Sequence, residues 1–452
     1  MIKKLTLALA TAGVISIPAY ADSTQDLIDA LSAKGVLTEE EAALLTKNKT
    51  KETKAQAKVK LDKKGLTVQS GDDNFKINFG GRLHATYTNS SVDDLSADDP
   101  IDGTEIRRAR IYMKGKMYKK FGYMAEIDFG GEKVGVKDFF ATYEPNKNWV
   151  LTAGHQKHAF SMEVQESSND IMFAERSFVY ALSTPYFDRA IGVNLKAIGD
   201  NWNVQGGIYG EGMKEHDNAS GTTRRNEGTG YAIRGTYNPI LTKTSVLHLG
   251  ANYGYRSASD DGKVNNNKSP SFAYETTNMS SLKVINSGTI EGFDSVSMGA
   301  LELAGMKGPW SFQSEYAQGT VSRKDGYSDY DVNAYYVQGA YTLTGESRTY
   351  KAADGEFKRL KPNKNFDPDA GTWGAWELAL RHDAIDLNDA DFTNAGEAKR
   401  LTANVNWYLN ENMRIVTGLE RTYDIESAAV TQANGDEIDN IDVFQMRFQW
   451  AF

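Results

Sequence analysis

From residue 75 to the C-terminus, apolar and polar residues alternate with a period of two. The last of these segments places Phe444, Met446, Phe448, Trp450 and Phe452 at every second position. Such alternation puts the apolar side chains on one face of an extended strand and the polar ones on the other. The strands that this pattern predicts are 75–88, 104–118, 121–130, 135–144, 149–157, 189–198, 202–211, 229–238, 244–256, 294–305, 309–321, 331–343, 373–385, 399–409, 412–424 and 439–452.

These sixteen segments fit a membrane barrel better than a soluble sandwich, which alternates in the same way. They run near the ten residues of a tilted membrane strand, aromatic residues gather near their ends, and their number is even. No run of 18 apolar residues follows residue 21, which argues against helical spans there. The terminal Phe452 resembles the assembly signal of outer-membrane proteins. We therefore predict an all-β fold, a 16-stranded antiparallel transmembrane β-barrel over 71–452, after a short N-terminal helical segment.

The connections between the predicted strands alternate between short turns and long loops. Short turns are typical of the periplasmic end of such barrels, and long loops of the external end. One connection, 344–372, is long where a short turn is due.

The chain begins with a segment that has the features of a signal peptide. Lys3 and Lys4 precede the apolar stretch 5–17, and Ala19-Tyr20-Ala21 fits a cleavage site. A buried N-terminal helix is the alternative. Loss of residues 1–21 removes only those two charges, so the net charge changes from −9 to −11.

Residues 22–70 follow a helical rather than a strand pattern. Leu27, Leu31, Leu44 and Leu45 recur at helical spacing, and residues 38–41 form a capping box. Lysines then become dense. We predict a periplasmic helical hairpin or coiled-coil stub followed by a charged linker, with a loosely ordered tail as the alternative.

The loop 158–188 is too apolar for a solvated connection. Because sixteen strands enclose a water-filled lumen unless something fills it, we predict that this loop folds inward and constricts the pore. A plain extracellular loop packed on its neighbours is the alternative. The residues that we assign to the constriction are Phe160, Glu163, Glu166, Asp170, Glu175 and Arg176.

Four cations, Arg108, Arg110, Lys114 and Lys116, share one face of the strand 104–118. A stripe of Lys and Arg along a lumen wall is typical of an anion pore. Alternatively, the inward carboxylates Glu126, Asp128, Glu315 and Glu377 pair with these cations. Further cations on predicted lumen faces are Arg82, Lys196, Arg234, Arg256, Arg381 and Arg447.

Other chemistries find little support in the sequence. The chain has no cysteine, and the sequence motifs of common hydrolases and nucleotide-binding proteins are absent. The pair His155 and His158 has a metal-like spacing but no obvious third ligand. Acidic clusters at 93–94, 98–99 and 260–261 either bind cations that bridge lipopolysaccharide or are solvated. We expect no enzyme activity, cofactor or metal, and the negative charge argues against a nucleic-acid partner.

Several short motifs resemble the phosphate-selective porin O/P family in their order along the chain. They are Arg107-Arg108-Ala109-Arg110 leading to Gly115, the loop from Phe160 through Glu175-Arg176-Ser177, Leu343-Thr344-Gly345-Glu346, Gly374-Ala375-Trp376-Glu377-Leu378 followed by Arg381, Asn406-Trp407-Tyr408-Leu409-Asn410 with Arg414, and the closing Arg447-Phe448-Gln449. The resemblance implies trimeric sixteen-stranded barrels with an Arg/Lys-lined anion path and a long connection at 344–372. It also implies that Arg107 lies near the constriction, whereas alternation places Arg107 outside. A β-bulge would reconcile the two.

Our functional hypothesis is a porin of the bacterial outer membrane for passive diffusion of small anions, with phosphate or polyphosphate among them. The alternatives are a general porin for small hydrophilic solutes and a structural or adhesive barrel that its loops close. The expected partners are small anions, outer-membrane lipid and lipopolysaccharide, and two further copies in a homotrimer.

Overall fold

The computed structural model describes residues 23–55, 57–91, 102–213, 226–260, 262–264, 268–279, 283–426 and 437–452. The chain divides into two compact units, one of residues 1–58 with 69–73 and one of residues 59–68 with 74–452. The predicted signal peptide and most of the acidic clusters of the outer loops lie outside the described residues. No helix in the described ranges is long and apolar enough to cross a membrane.

The first unit contains two helices, α1 (Ser23–Ala33) and α2 (Glu39–Ala55). The predicted capping box begins α2. The Glu41 amide donates to Thr38 Oγ1 (3.2 Å), and the Thr38 amide donates to Glu41 Oε2 (2.9 Å). These reciprocal bonds satisfy two backbone donors at the start of the helix, where they have no partner within it.

The second unit is a closed barrel, which confirms the predicted fold class. Each predicted strand is present, with end positions that differ by a few residues. Strands β1 to β16 are Phe75–Ser91, Asp102–Met117, Phe121–Asp128, Gly135–Asn146, Trp149–Lys157, Arg189–Ile198, Trp202–Tyr209, Gly230–Leu241, Ser245–Ser257, Phe293–Lys307, Trp310–Arg323, Tyr330–Thr342, Ala375–Asp386, Glu397–Tyr408, Met413–Glu426 and Asn440–Ala451. Neighbouring strands are antiparallel, and β16 pairs with β1 from Asp442–Ser91 to Ala451–Arg82, which closes the sheet. At the seam, the amides of Gly81 and Phe452 each donate to the other's carbonyl.

The alternation along each strand separates a lipid-facing surface from a lumen surface. On β13, Leu378 and Leu380 are 44% and 53% exposed, while Glu377 and Arg381 are buried. In a barrel of this kind the exposed apolar side chains face lipid, and the polar ones face an interior that loops have partly filled.

One segment differs from the predicted linker. Residues Lys58–Asp62 and Gly65–Gln69 form a β-hairpin that pairs with β1. Val59 and Leu61 alternate with lysines there, and Gly65 adopts a positive φ of 83° at the turn. The dense lysines obscured a short strand pattern.

Two connections enter the lumen from opposite ends of the barrel. The loop 158–188 carries two short helices, α3 (Met162–Gln165) and α4 (Phe178–Phe187). The connection between β12 and β13, at the end that carries the short turns, forms hairpins of Thr349–Lys351 with Glu356–Lys358 and of Phe366–Asp367 with Thr372–Trp373. We call residues 344–372 the turn insert.

The apolar core of this unit lies inside the barrel, near the end with the long loops. There α4 packs against residues of the β9–β10 loop, which adds the strands Ala273–Glu275 and Lys283–Asn286. Phe178 lies against Tyr274 with ring centroids 4.6 Å apart, and Tyr186 lies 5.1 Å from Phe272. This core holds the loop 158–188 in place on the side of the barrel that carries the long loops.

Candidate functional site

The first helix of the loop 158–188 is anchored to the inner wall through the carboxylate of Glu315. Glu315 on β11 accepts hydrogen bonds from Ser161 Oγ (2.7 Å) and from the amides of Met162 (3.0 Å) and Glu163 (2.8 Å). These donors lie at the start of α3, where helical amides have no partner within the helix. Phe160 is fully buried and stacks on Phe187 at 4.7 Å.

A row of inward arginines holds the rest of the loop by its backbone carbonyls. Arg414 donates to Ile171 O (2.8 Å), Arg381 to Glu175 O (3.0 Å) and Arg400 to Arg176 O (2.9 Å), and Arg447 donates to Ala174 O. Residues 171–177 have no regular structure, so their buried carbonyls need donors from elsewhere. Two residues assigned to the anion path, Arg381 and Arg447, thus act as supports for the loop.

Arg107 lies in the lumen because β2 is bulged at this residue. The register of β1 with β2 passes from His84–Arg108 to Ala85–Ile106, which leaves Arg107 as the extra residue. Arg107 Nε then donates to Glu175 Oε1 (3.0 Å). The bulge that would reconcile alternation with the resemblance is therefore present.

Glu175 is the carboxylate between Arg107 and Arg447, whose Nη2 lies 2.5 Å from Glu175 Oε1. Burial by itself would raise the pKa of Glu175. The positive charges of Arg107, Arg447 and Arg108 outweigh it and hold that pKa well below its usual range. The carboxylate therefore stays ionised and bridges the loop to β2 and β16.

A polar cavity of about 130 Å³ remains between the loop and the wall of β1 to β6. We call it the basic pocket. Six cationic side chains line it, against two carboxylates. Its charged lining residues are Arg82, Arg108, Arg110, Glu126, Asp138, Lys157, Arg176 and Arg189.

Several of these cations already have partners. Arg110 donates to Glu126 (2.9 Å) and Asp128 (2.7 Å), and Arg82 donates to Glu126 (2.7 Å). Arg189 pairs with Asp138 at 2.8 Å. The alternative that inward carboxylates pair with the cations of the stripe thus holds for Arg110, and Arg82 is paired in the same way.

Arg108 differs from Arg82 and Arg110 in that it forms no ion pair with any described residue. It is buried, lines the basic pocket, and its Nη1 has no hydrogen-bond partner among the described residues. A buried guanidinium donor without an acceptor is costly unless water or a ligand satisfies it. This donor is therefore available to an anion in the pocket.

The remaining stripe residues lie toward the short-turn end of β2. Lys114 lies 4.7 Å from the ring centroid of Tyr112, and no ion pair of Lys114 occurs within the described part of the chain. Lys116 is exposed and pairs with Glu144 on β4. These two lysines extend the basic wall beyond the basic pocket.

Three other cations assigned to the anion path contact different parts of the interior. Arg234 pairs with Glu302 at 2.7 Å, and both side chains are fully enclosed. Lys196 lies 3.7 Å from Asp354 of the turn insert, and Arg256 donates to Gly210 O (2.7 Å). The basic pocket includes none of these three cations.

The acidic residues of the loop do not line the basic pocket. Glu163 accepts from the amide of Ser177 (3.0 Å) and so links α3 to the start of α4. Asp170 lies 3.9 Å from Arg359 of the turn insert. Burial raises the pKa of Glu166 to about 8, and the nearby charge of Glu356 adds to this effect. Arg176 is the charged side chain of the loop that lines the basic pocket. It also donates to the carbonyls of Glu163 and Glu166.

Sequence reasoning missed Asp138, Lys157 and Arg189. Lys157 ends the strand before the loop and donates to Gln165 O (2.8 Å), and Arg189 begins the strand after it. Their position at the two ends of a loop predicted to fold inward was a usable signal. His155 and His158 do not converge, because their Nδ1 atoms contact the carbonyls of Lys137 (2.7 Å) and Asp188 (3.1 Å).

Comparison with known proteins agrees with this architecture. The family model described as "Phosphate-selective porin O and P" matches residues 77–452. Porin O of Pseudomonas aeruginosa is 28% identical over 417 residues, 86% of this chain and 91% of that protein. An anion-selective porin from Comamonas acidovorans shares the fold, with a TM-score of 0.52 at 12% identity over 84% of this chain and 100% of that one. OmpF of Salmonella typhi, solved with daunomycin, gives a TM-score of 0.51 at 12% identity over 84% and 99%.

The match to the family model covers most of the chain, and the barrel has the fold of outer-membrane porins. The protein is located in the bacterial outer membrane. It belongs to the phosphate-selective porin O and P family.

Proposed function

We propose that this porin is a narrow channel through which small anions diffuse passively, phosphate among them. The observation that carries this proposal is the basic pocket, in which six cations face two carboxylates and Arg108 keeps an unpartnered donor. An anion that enters exchanges part of its hydration shell for these donors. Several moderate sites in series, including Lys114 and Lys116, let it leave again.

The size of the basic pocket favours small ions over larger solutes. Its volume of about 130 Å³ is well below the roughly 300–1,000 Å³ of a typical site for a drug-sized molecule. This supports a selective anion channel over a general porin for hydrophilic solutes. The polar lining and unpartnered Arg108 also favour a conducting pore over a barrel that its loops close.

Phosphate is the more specific part of the proposal. Its support is the description of the matching family model and the arginine content of the pocket. Guanidinium groups bind phosphate oxygens in pairs, whereas an ammonium acts as a point charge. Arg82, Arg108 and Arg110 are the residues that we assign to this contact.

The assembly and outer parts of the protein complete the proposal. The family resemblance supports a homotrimer, and the signal peptide over 1–21 supports export before barrel assembly at Phe452. The helices of residues 22–70 would then lie in the periplasm. We also propose that the acidic clusters of the outer loops at 93–94, 98–99 and 260–261 contact lipopolysaccharide through bridging cations.

The experiment for this proposal is the reversal potential of the purified full-length channel in a planar bilayer with a KCl gradient. We expect the sign of a chloride-selective pore, and we expect added phosphate to reduce the chloride current. Cation selectivity would contradict the anion channel. Anion selectivity without any effect of phosphate on the current would contradict the phosphate part of the proposal and leave the anion channel intact.

A further inference from the structure

The outer surface of the barrel carries an apolar groove of about 1090 Å³ across strands β8 to β13. Its lining is mainly aliphatic and aromatic. Representative lining residues are Leu247, Phe312, Val337, Leu378 and Leu380. We call it the outer groove. The depression forms where Gly339 faces outward between these larger side chains, because a glycine leaves a gap in the sheet surface.

The outer groove reaches from the short-turn end of the barrel to about mid-membrane. Along β12 it runs from Tyr341 to Val337, which is about 14 Å at the ~3.4 Å rise of an antiparallel strand. The strands of such barrels tilt by ~35–45°, so this length spans roughly 10–11 Å of an apolar band that is ~25 Å tall, most of one leaflet. By the orientation of its turns, that leaflet is the periplasmic one.

The end of the outer groove carries unpaired positive charge beside an aromatic pair. Lys307 lines the edge of the groove, and Lys243 lies in the neighbouring turn. The two turns are joined by a hydrogen bond from the Gly308 amide to Thr244 O (2.8 Å). Both lysines are exposed, and neither forms an ion pair with any described residue. Trp310 and Tyr341, with ring centroids 4.4 Å apart, lie at the same level. Aromatic rings of this kind mark the depth of lipid headgroups.

We propose that the outer groove is a binding site for one phospholipid of the periplasmic leaflet. An acyl chain lies along β12 over Gly339, and the headgroup phosphate contacts Lys307 and Lys243. The complementarity of charge favours an anionic headgroup. A flexible acyl chain adapts its shape to the uneven floor of the outer groove, whereas a second barrel presents a rigid surface.

The test uses the full-length protein in mild detergent, titrated with palmitoyl-oleoyl phosphatidylglycerol and observed by native mass spectrometry. We expect one lipid to remain bound under conditions that strip the others. Lys243→Glu with Lys307→Glu should weaken this binding at least tenfold. Gly339→Leu should abolish it, because its side chain fills the groove. A Cβ at Gly339 would lie 3.7 Å from Ser311 O, an ordinary contact, so the variant is expected to fold.

The matched control is Gly235→Leu, which adds the same side chain on the lipid face outside the outer groove. A Cβ there would lie 3.8 Å from Val204, again an ordinary contact. This variant should bind lipid as the parent does. Unchanged retention in both the lysine double variant and Gly339→Leu would overturn the proposal. A changed oligomer mass in Gly339→Leu with lipid binding intact would also overturn it, and would assign the groove to a second copy.

Discussion

Arg107 faces the lumen only because β2 carries one extra residue at that position. Simple alternation places it among the lipid-facing residues. The signal for the bulge is nevertheless present, since the outward residues Ile106 and Ala109 are three positions apart instead of two. The role of Arg108 is harder to predict, because its distinction from Arg110 depends on which inward carboxylates lie within reach.

Glu315 holds the start of α3 against the inner wall. Its carboxylate accepts from Ser161 Oγ and two amides of α3, and also from Tyr336 Oη (2.8 Å). Glu315→Ala removes this acceptor and leaves buried donors without partners. We expect the free energy of unfolding to fall by about 3 kcal/mol, since leaving a buried donor without a partner costs about 1–3 kcal/mol. Urea unfolding in lipid vesicles measures it.

The control for Glu315→Ala is Gln318→Ala, an exposed residue of the same strand. That change should leave the unfolding midpoint unaltered. Single-channel records should show increased current noise in Glu315→Ala and not in the control. Equal stability of the two variants would show that Glu315 does not anchor the loop.

Glu166 makes stability depend on pH. Its pKa rises on folding, from an ordinary value of 4.5 to about 8, chiefly because it is buried. The folded state therefore binds a proton that the unfolded state releases, and stability declines as pH increases between these two values. We expect the parent to be more stable at pH 5 than at pH 8. Glu166→Gln should lose this part of the dependence, as urea unfolding at the two pH values would show. An identical pH profile in both proteins would contradict the assignment.

Two elements from opposite ends of the barrel meet in its centre. Arg359 of the turn insert donates to Asn169 O (3.2 Å), and Arg348 donates to Asp170 O (3.2 Å). Arg234 holds the insert through the carbonyls of Asp354 and Gly355. The loop borders the basic pocket, and the insert does not. Conductance and selectivity should therefore respond differently to the two elements.

A pair of deletions separates these roles. Removing 350–357 should raise conductance and leave anion selectivity intact, because these residues do not line the basic pocket. Removing 161–175 should raise conductance and weaken selectivity, because Val164, Gln165, Ser167 and Ser168 form one wall of that pocket. Single-channel currents and reversal potentials measure both. The same selectivity loss in the two deletions would contradict the separation.

The sequence predicted the strands well and the turn insert poorly, for one physical reason. The two environments of each strand are evident from the local alternation of apolar and polar residues, as at Leu378 and Leu380. The insert is held by Arg234, Asn238 and His248, which lie about a hundred residues earlier, and Tyr350 contacts the latter two. Its length was evident, but no local pattern specifies a partner so distant along the chain.

Across the whole molecule, the inner charges fall into two groups, those that support the loop and those that line the basic pocket. The wall of β13 to β16 uses Arg381, Arg400, Arg414 and Arg447 to hold the loop. The adjoining wall of β1 to β6 contributes cations to the basic pocket. The sequence predicted inward arginines correctly by parity on β13 and β16. The sequence does not show which arginines support the loop and which line the basic pocket, because the acceptors of the supporting arginines are backbone carbonyls of the loop.

The oligomer is a prediction at the same scale. The barrel closes by itself, so no strand edge requires a partner, and the trimer depends on the family resemblance alone. Native mass in mild detergent should equal three chains. A mass of one chain would remove the trimer and leave the barrel and the channel unaffected.

The most direct test of the central claim is the reversal potential of Arg108→Glu. The claim is that the basic pocket makes the channel anion-selective. At ~0.1 M KCl, where the Debye length is ~10 Å, a reversed charge there acts on every passing ion. The control is Arg421→Glu, the same charge change on the outer surface, where the Arg421 side chain is 59% exposed. We expect Arg108→Glu to shift the reversal potential toward cations, less so at high salt, and Arg421→Glu to match the parent. A reversal potential of Arg108→Glu equal to that of the parent would contradict the claim.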